Sequence, residues 1–268
     1  MTPNSPLDRS GLASEAVALP APWDRPPTVV DRVVSAGLWT AGLAWLVPMM
    51  SAMMASNLVL RPDRAEWLSR LYCRGQVAMT GARWRAVVDP AVNPATPYLF
   101  ACNHVNLLDH VTMYCATPHF KQGLELESHF KIPVYGWFMR QRGTISVKSR
   151  KGGGQADELR AQFQRELALG HSILAFPEGT RTRDGAVGPF RKGVFYIARD
   201  LGLPVVPVTV TGMYRVLRAG SPLMRPGREV VVYCDPPHDP SGMTDDEVGA
   251  LADRVRDVLV HRTSGAPA

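Results

Sequence analysis

The sequence has few of the features that would assign it to several common protein classes. Its four cysteines, Cys73, Cys102, Cys115 and Cys234, are far apart and form no CxxC. Three lie in apolar surroundings, which predicts free thiols in a reducing compartment and argues against a disulfide scaffold or a structural metal site. There is no arginine-rich tail and no zinc-type spacing. The basic residues are spread along the chain, which argues against nucleic acid as a partner. The N-terminus lacks a basic start followed directly by an apolar core, so no cleaved signal peptide is expected. No internal repeat occurs. From Val33 to Leu60 there is no charged residue at all.

What is present suits one sizeable α/β domain with additions. The chain has 268 residues, 46% of them hydrophobic and 20% charged, with a formal net charge of +6. That composition supports a packed core. The positive balance suits anionic partners such as lipid headgroups or phosphorylated substrates.

Residues 1–28 are rich in Pro, Ser and Ala and show no periodicity, which predicts a mobile tail over residues 1–30. The uncharged run after it, within a membrane-embedded segment expected over 31–62, would span roughly 42 Å as a helix at 1.5 Å per residue. The hydrocarbon core of a bilayer is about 30 Å thick. Pro48 sits mid-segment, with Trp39 and Trp45 before it. Two membrane readings fit: a single tilted, kinked spanning helix, or two shorter helices broken near Pro48 that dip into one leaflet. Loss of a backbone hydrogen bond at Pro48 favours the break. Arginines flank both ends (Arg25 and Arg32, then Arg61, Arg64 and Arg70), so charge gives no orientation.

Beyond this segment, strand and helix patterns alternate. A helix is expected over 63–80, with Trp67, Leu68, Leu71 and Tyr72 on one face. Strands are expected at 84–88, 98–102, 124–126, 143–147, 172–176, 205–210 and 229–234. Helices are expected at 107–116, 132–140, 156–169, 194–201 and 244–260. Leu159, Phe163 and Leu167 form the buried stripe of one of these helices, and Thr244 is the N-cap of the last. The stretch Ser149–Gln155 reads as a flexible basic loop. The pattern predicts a mixed central β-sheet flanked by helices, in a domain over 63–262 followed by a short tail, 263–268.

Two stretches carry chemistry. In the first, an apolar strand runs into Asn103-His104-Val105-Asn106-Leu107-Leu108-Asp109. If the turn folds back, Asp109 can fix the imidazole of His104 and leave its other ring nitrogen free as a general base. Alone, the pair also reads as a solvated loop histidine and an early-helix aspartate. In the second, the strand at 172–176 ends in Phe176-Pro177-Glu178-Gly179-Thr180-Arg181. This turn sits at the strand-end edge where open α/β sheets bind ligands. Arg181 can hold a phosphate bidentately, and Glu178 can orient Arg181 or bind a substrate hydroxyl. Gly170-His171-Ser172 starts like a nucleophile elbow but lacks the closing glycine. Gly152-Gly153-Gly154 has neither phosphate-loop nor dinucleotide spacing.

Together these stretches resemble the glycerolipid (lysophospholipid) acyltransferases, in particular the 1-acylglycerol-3-phosphate acyltransferases. Their third block continues here as Phe190-Arg191-Lys192-Gly193, and their fourth is matched by Val205-Val206-Pro207-Val208-Thr209-Val210-Thr211-Gly212. The second departs: Gly143-Thr144-Ile145-Ser146-Val147-Lys148-Ser149 has serine at the family's arginine position, with Lys148 and Arg150 beside it. The resemblance covers residues 65–235. It implies a glycerol-3-phosphate acyltransferase-like fold and transfer of a fatty acyl group from an acyl thioester, on coenzyme A or acyl carrier protein, to the hydroxyl of 1-acylglycerol-3-phosphate. His104 would be the base and Asp109 its orienting partner. Asn103, Glu178, Gly179, Thr180 and Arg181, with Lys148 or Arg150, would bind substrate. Backbone N–H groups near Gly179 or after Asn106 would stabilise the oxyanion. No bound cofactor or metal is implied. The expected location is the cytoplasmic membrane, with the catalytic domain on its cytoplasmic face. Other lysolipid acceptors (a lyso-ornithine lipid, a lysocardiolipin, a glycolipid) stay open, as does a non-catalytic lipid-binding role.

Overall fold

A seven-stranded sheet organises the chain. The computed structural model describes residues 26–148 and 155–265. The strands are β1 (Arg83–Val88), β2 (Leu99–Cys102), β3 (Lys121–Leu126), β4 (Ile145–Val147), β5 (Ser172–Ala175), β6 (Val205–Thr211) and β7 (Glu229–Cys234). Their spatial order is β1-β7-β6-β2-β5-β3-β4. β6, β2, β5, β3 and β4 are mutually parallel. β7 joins β6 antiparallel and β1 pairs parallel with β7, so the sheet is mixed as expected.

The central strands are buried along their whole length, as their unbroken apolar runs require. Alternate residues feed two cores. Phe100, Cys102, Val206, Val208 and Val210 pack on one face with residues of α2 (Glu66–Met79) and α3 (Asp109–Tyr114). Leu99, Ala101, Ile173 and Val205 pack on the other with α5 (Gln155–Ala168), α6 (Gly193–Asp200) and α8 (Asp245–Ser264). Leu159 and Phe163 are buried as the stripe predicts, and Leu167 packs against the same core. α8 runs through the residues expected to form a C-terminal tail as far as Ser264, behind a Thr244–Glu247 capping box. Two further helices, α4 (Tyr135–Arg142) and α7 (Met213–Val216), complete the domain, and the short α7 was not expected.

At the N-terminus, α1 runs unbroken over Val29–Ser56. Helix therefore begins inside the expected tail, behind a Thr28–Asp31 capping box; residues 1–25 of that tail lie outside the described residues. The break expected near Pro48 does not occur. Val47 and Pro48 are exposed, so the ring has room on the open side of the helix and the missing hydrogen bond is absorbed without a turn. α1 packs against α2 through Trp45, whose indole N–H donates to the Tyr72 carbonyl at 3.1 Å. A Cβ on Gly75 would lie 2.1 Å from that indole, so the close approach needs glycine there.

The apolar face expected on α2 is only partly covered by the protein. Ser69, Cys73, Gln76 and Val77 are buried, while Trp67 and Leu71 are exposed. Leu68 and Tyr72 of the apolar face are half-buried, Tyr72 against the core. α1 is likewise exposed at Val29, Val30, Val33, Val34, Leu43 and Val47. Exposed apolar surface of this extent marks an interaction site, and α1 is long and apolar enough to cross a membrane.

Candidate active site

The carboxyl ends of β2, β5 and β6 converge on the His104 turn. β2 ends at Cys102, and Asn103 then clasps the neighbouring strand. Its amide oxygen accepts from the Val210 N–H at 2.8 Å, and its Nδ2 donates to the Val210 carbonyl at 3.1 Å. The Asn103 side chain is buried and bonded through both its oxygen and its nitrogen. Assigned to substrate by resemblance, it instead continues the β2–β6 pairing one step past the strand and launches the turn from a fixed point.

The turn folds back as the spacing allows. His104 Nδ1 lies 2.8 Å from Asp109 Oδ2. The same oxygen accepts the N–H groups of Val105 at 2.5 Å and Asn106 at 2.8 Å. Asp109 is fully buried. Burial pushes its carboxyl up, against the pull of His104 and the two backbone donors. Asn106 locks the turn from below: its Nδ2 donates to the Leu217 carbonyl at 2.8 Å, and its Oδ1 accepts from the Leu108 N–H at 2.8 Å. The imidazole stacks on Phe176, centroids 4.2 Å apart and planes 20° apart. A histidine oriented by a carboxylate at one ring nitrogen presents the other as a proton acceptor.

Glu178 has a different task from either one expected. Its Oε1 accepts from the His104 N–H and its Oε2 from the Gly188 N–H, both at 2.8 Å. It therefore closes its own β5–α6 loop and ties it to the histidine turn, rather than orienting Arg181 or holding a hydroxyl. Burial pushes its carboxyl up, opposed by those two bonds. Glu178→Ala leaves two backbone donors without an acceptor, at a cost of about 2 kcal/mol, and loosens the His104 turn. Turnover is expected to fall roughly ten- to a hundred-fold. Glu178→Gln, which keeps a carbonyl oxygen, is expected to fall between that variant and the parent. Thermal unfolding and turnover on the three proteins check the order.

Gly179 has φ of +69°, and a Cβ there would come within 2.7 Å of the Arg191 guanidinium. The glycine thus lets Arg191 lie across the turn, anchored by its own N–H to the Pro177 carbonyl at 2.8 Å. The Gly179 N–H donates to the Phe176 carbonyl, the Asn106 N–H to Asp109 and the Leu108 N–H to Asn106 Oδ1, so these three N–H groups of the two turns are already engaged. Thr180 and Arg181 are exposed, and the next residue, Thr182, donates its N–H to the His104 carbonyl at 2.8 Å. Arg181 and Arg191 therefore stand at the same edge as His104. Arg191 belongs to a recognised block but carried no assignment from the sequence. Its proximity depends on the glycine's backbone conformation.

Lys148 is not brought to this turn. It follows β4, three strands from β2, and its Nζ pairs with Glu158 at 2.6 Å on an exposed surface. Arg150 lies outside the described residues. Ser172, the serine of the rejected elbow, is buried at the start of β5 and bonds the Tyr98 N–H. All four cysteines are free thiols.

Comparison with known proteins adds to this geometry. Residues 85–211 match the family model described as Acyltransferase. That stretch is similar to an acyltransferase domain. A chloroplast 1-acyl-sn-glycerol-3-phosphate acyltransferase of Brassica napus is 37% identical over 126 residues, 47% of this chain and 36% of that protein. The chain spans well under half the length of that relative and of its 34%-identical Arabidopsis thaliana counterpart. A 1-acyl-sn-glycerol-3-phosphate acyltransferase of Chlamydomonas reinhardtii is 27% identical over 84% of this chain and 71% of its own. The crystal structure of the 1-acyl-sn-glycerophosphate acyltransferase PlsC of Thermotoga maritima superposes with a TM-score of 0.72 at 21% identity, covering 90% of this chain and 98% of that one. The chain thus has the PlsC fold, and both the His104 and Arg181 turns fall within the matched stretch.

Proposed function

We propose that the chain is an O-acyltransferase that moves a fatty acyl group from an acyl thioester to the free hydroxyl of 1-acylglycerol-3-phosphate, giving phosphatidic acid. The observation that carries this reading is the contact of His104 Nδ1 with buried Asp109, at a sheet edge shared with Arg181 and Arg191. His104 Nε2 takes the hydroxyl proton as the oxygen attacks the thioester carbonyl. The tetrahedral intermediate collapses, the carbon–sulfur bond breaks, and the departing thiolate takes the proton back from the imidazolium. Asp109 orients the ring and stabilises its charged form. Arg181 and Arg191 hold the acceptor's phosphate and so place its hydroxyl.

The donor is a coenzyme A or acyl carrier protein thioester. The exposed apolar surface of α1 and α2 seats the domain on the membrane that holds the lysolipid, and the positive net charge adds attraction to anionic lipid. Free thiols throughout fit a catalytic domain on the cytoplasmic face.

One observation favours a second reading within the class. The basic residue of the departed block, Lys148, faces Glu158 instead of the site, so the acceptor's headgroup need not be the family's usual one. Assaying purified protein against lysophosphatidic acid, a lyso-ornithine lipid, a lysocardiolipin and a lysoglycolipid decides. Fastest acylation of lysophosphatidic acid supports the first reading. Preference for an acceptor without a phosphate monoester replaces it.

A further inference from the structure

A second concentration of positive charge lies along the same sheet edge, beyond β6. A cleft of about 410 Å³ is lined there by Arg83, Arg85, Arg215, Arg228, His261 and Arg262. Among the described residues lining it, Glu229 is the one carboxylate, and it bonds Arg85 at 2.9 Å. With histidine neutral, five arginines against one glutamate give the lining a net formal charge of +4. Asp235 supports Arg262 from outside the lining.

The fold builds this crowding. The register sets Arg83 opposite Glu229 and Arg85 opposite Val231, and Val231 faces Thr211 of β6. The side chains of Arg83 and Arg85 thus share one face with the end of β6. Gly212 then turns the chain at φ +79°, where a Cβ would come 1.9 Å from the Glu229 carbonyl oxygen. That turn brings Arg215 of α7 against the strand ends. Arg215 and Arg228 are close enough to repel, and Arg228 Nε is buried with no hydrogen-bond partner. Like charges pressed together, with a buried donor unused, are stabilised by an anion between them.

We propose that this cleft binds the 3′-phosphorylated ADP end of a coenzyme A thioester. This rests on the acyl-transfer reading and names its donor. Charge, size and reach support it. That nucleotide carries about four negative charges near neutral pH, against +4 on the lining. The volume lies within the roughly 300–1,000 Å³ typical of small-ligand clefts. The β1 wall stands three strand spacings from β2, roughly 14 Å at about 4.8 Å each. A pantetheine arm, equivalent to about five extended residues or roughly 17 Å, covers that span to His104. Val231 and Tyr233 are the only large apolar side chains in the lining, which offers no apolar path for lipid tails. A soluble phosphate ligand therefore fits better than a phospholipid.

The test uses the full chain and adenosine 3′,5′-bisphosphate as probe. Calorimetry should show the bisphosphate binding to the parent protein, and kinetics should show it competing with acyl-CoA. In Arg83→Ala/Arg228→Ala, probe binding should be lost and the KM for acyl-CoA should rise about ten-fold. KM for the matching acyl-pantetheine thioester, which has no nucleotide, should change by less than about two-fold. Arg83→Lys/Arg228→Lys should recover part of the loss. The proposal is overturned if both donors weaken equally, if neither does, if vesicle binding is lost in place of donor affinity, or if only acyl carrier protein serves as donor. Probe binding is read without turnover. A protein that binds the bisphosphate through these arginines yet acylates no lysolipid therefore refutes the acyl-transfer reading and not the cleft.

Discussion

His104→Ala lowers acyl-transfer turnover by roughly 10²–10⁴-fold, the usual contribution of a positioned general base, and leaves membrane binding unchanged. The imidazole is the group aimed at the substrate, and its removal disturbs little else. The turn around it is held by main-chain and side-chain bonds that do not use the ring: Asn103 to Val210, Asn106 to Leu217, and Glu178 to the His104 N–H. The loss to the fold is the stack on Phe176 and the Nδ1 hydrogen bond to Asp109, about 1 kcal/mol each. Turnover should therefore collapse while thermal unfolding shifts little. Parent-like turnover in the alanine variant removes His104 from the mechanism.

Asp109 gives the second large effect, and its two substitutions separate two roles. Asp109→Ala leaves the Val105 and Asn106 N–H groups and the imidazole without their shared acceptor in a fully buried position. Stability is expected to fall by about 3 kcal/mol, and turnover with it. Asp109→Asn keeps a carbonyl oxygen for the backbone donors, so the fold largely survives. With that oxygen in the place of Oδ2, the imidazole keeps its hydrogen bond and tautomer, but the amide no longer carries the charge that favours imidazolium. Turnover in the asparagine variant should still fall roughly 10²–10⁴-fold. Thermal unfolding and turnover on both variants check the split. If the asparagine variant unfolds as readily as the alanine variant, Asp109 acts on the fold rather than on the histidine.

The sequence shows the alternating strands and helices and the fold-back of His104 onto Asp109, because both rest on local periodicity and spacing. It fails where a side chain answers a partner distant in sequence. Asn103 is read as a substrate ligand because it adjoins the histidine, yet its partner is Val210 on the next strand. Glu178 is read as a partner of Arg181 for the same reason, yet it clamps the backbone at His104 and Gly188. Lys148 is read into the site by block order, but sheet order sets it three strands away. On α2, apolar periodicity picks out a face that is split, with Trp67 and Leu71 exposed and Leu68 and Tyr72 half-buried. Pro48 leaves one helix or two open in the sequence, and α1 continues through it as a single helix. The arginine cleft leaves no trace in any one stretch. Its residues come from β1, α7, the entry to β7 and α8, and only strand register assembles them.

The most direct test of direct transfer from thioester to lysolipid is thiol release from acyl-CoA by the purified chain, followed with and without 1-acylglycerol-3-phosphate. Direct transfer releases thiol only when the acceptor is present, in step with phosphatidic acid, and leaves no acyl group trapped on the protein. Equal thiol release without the acceptor, or an acyl-enzyme caught in its absence, would contradict it.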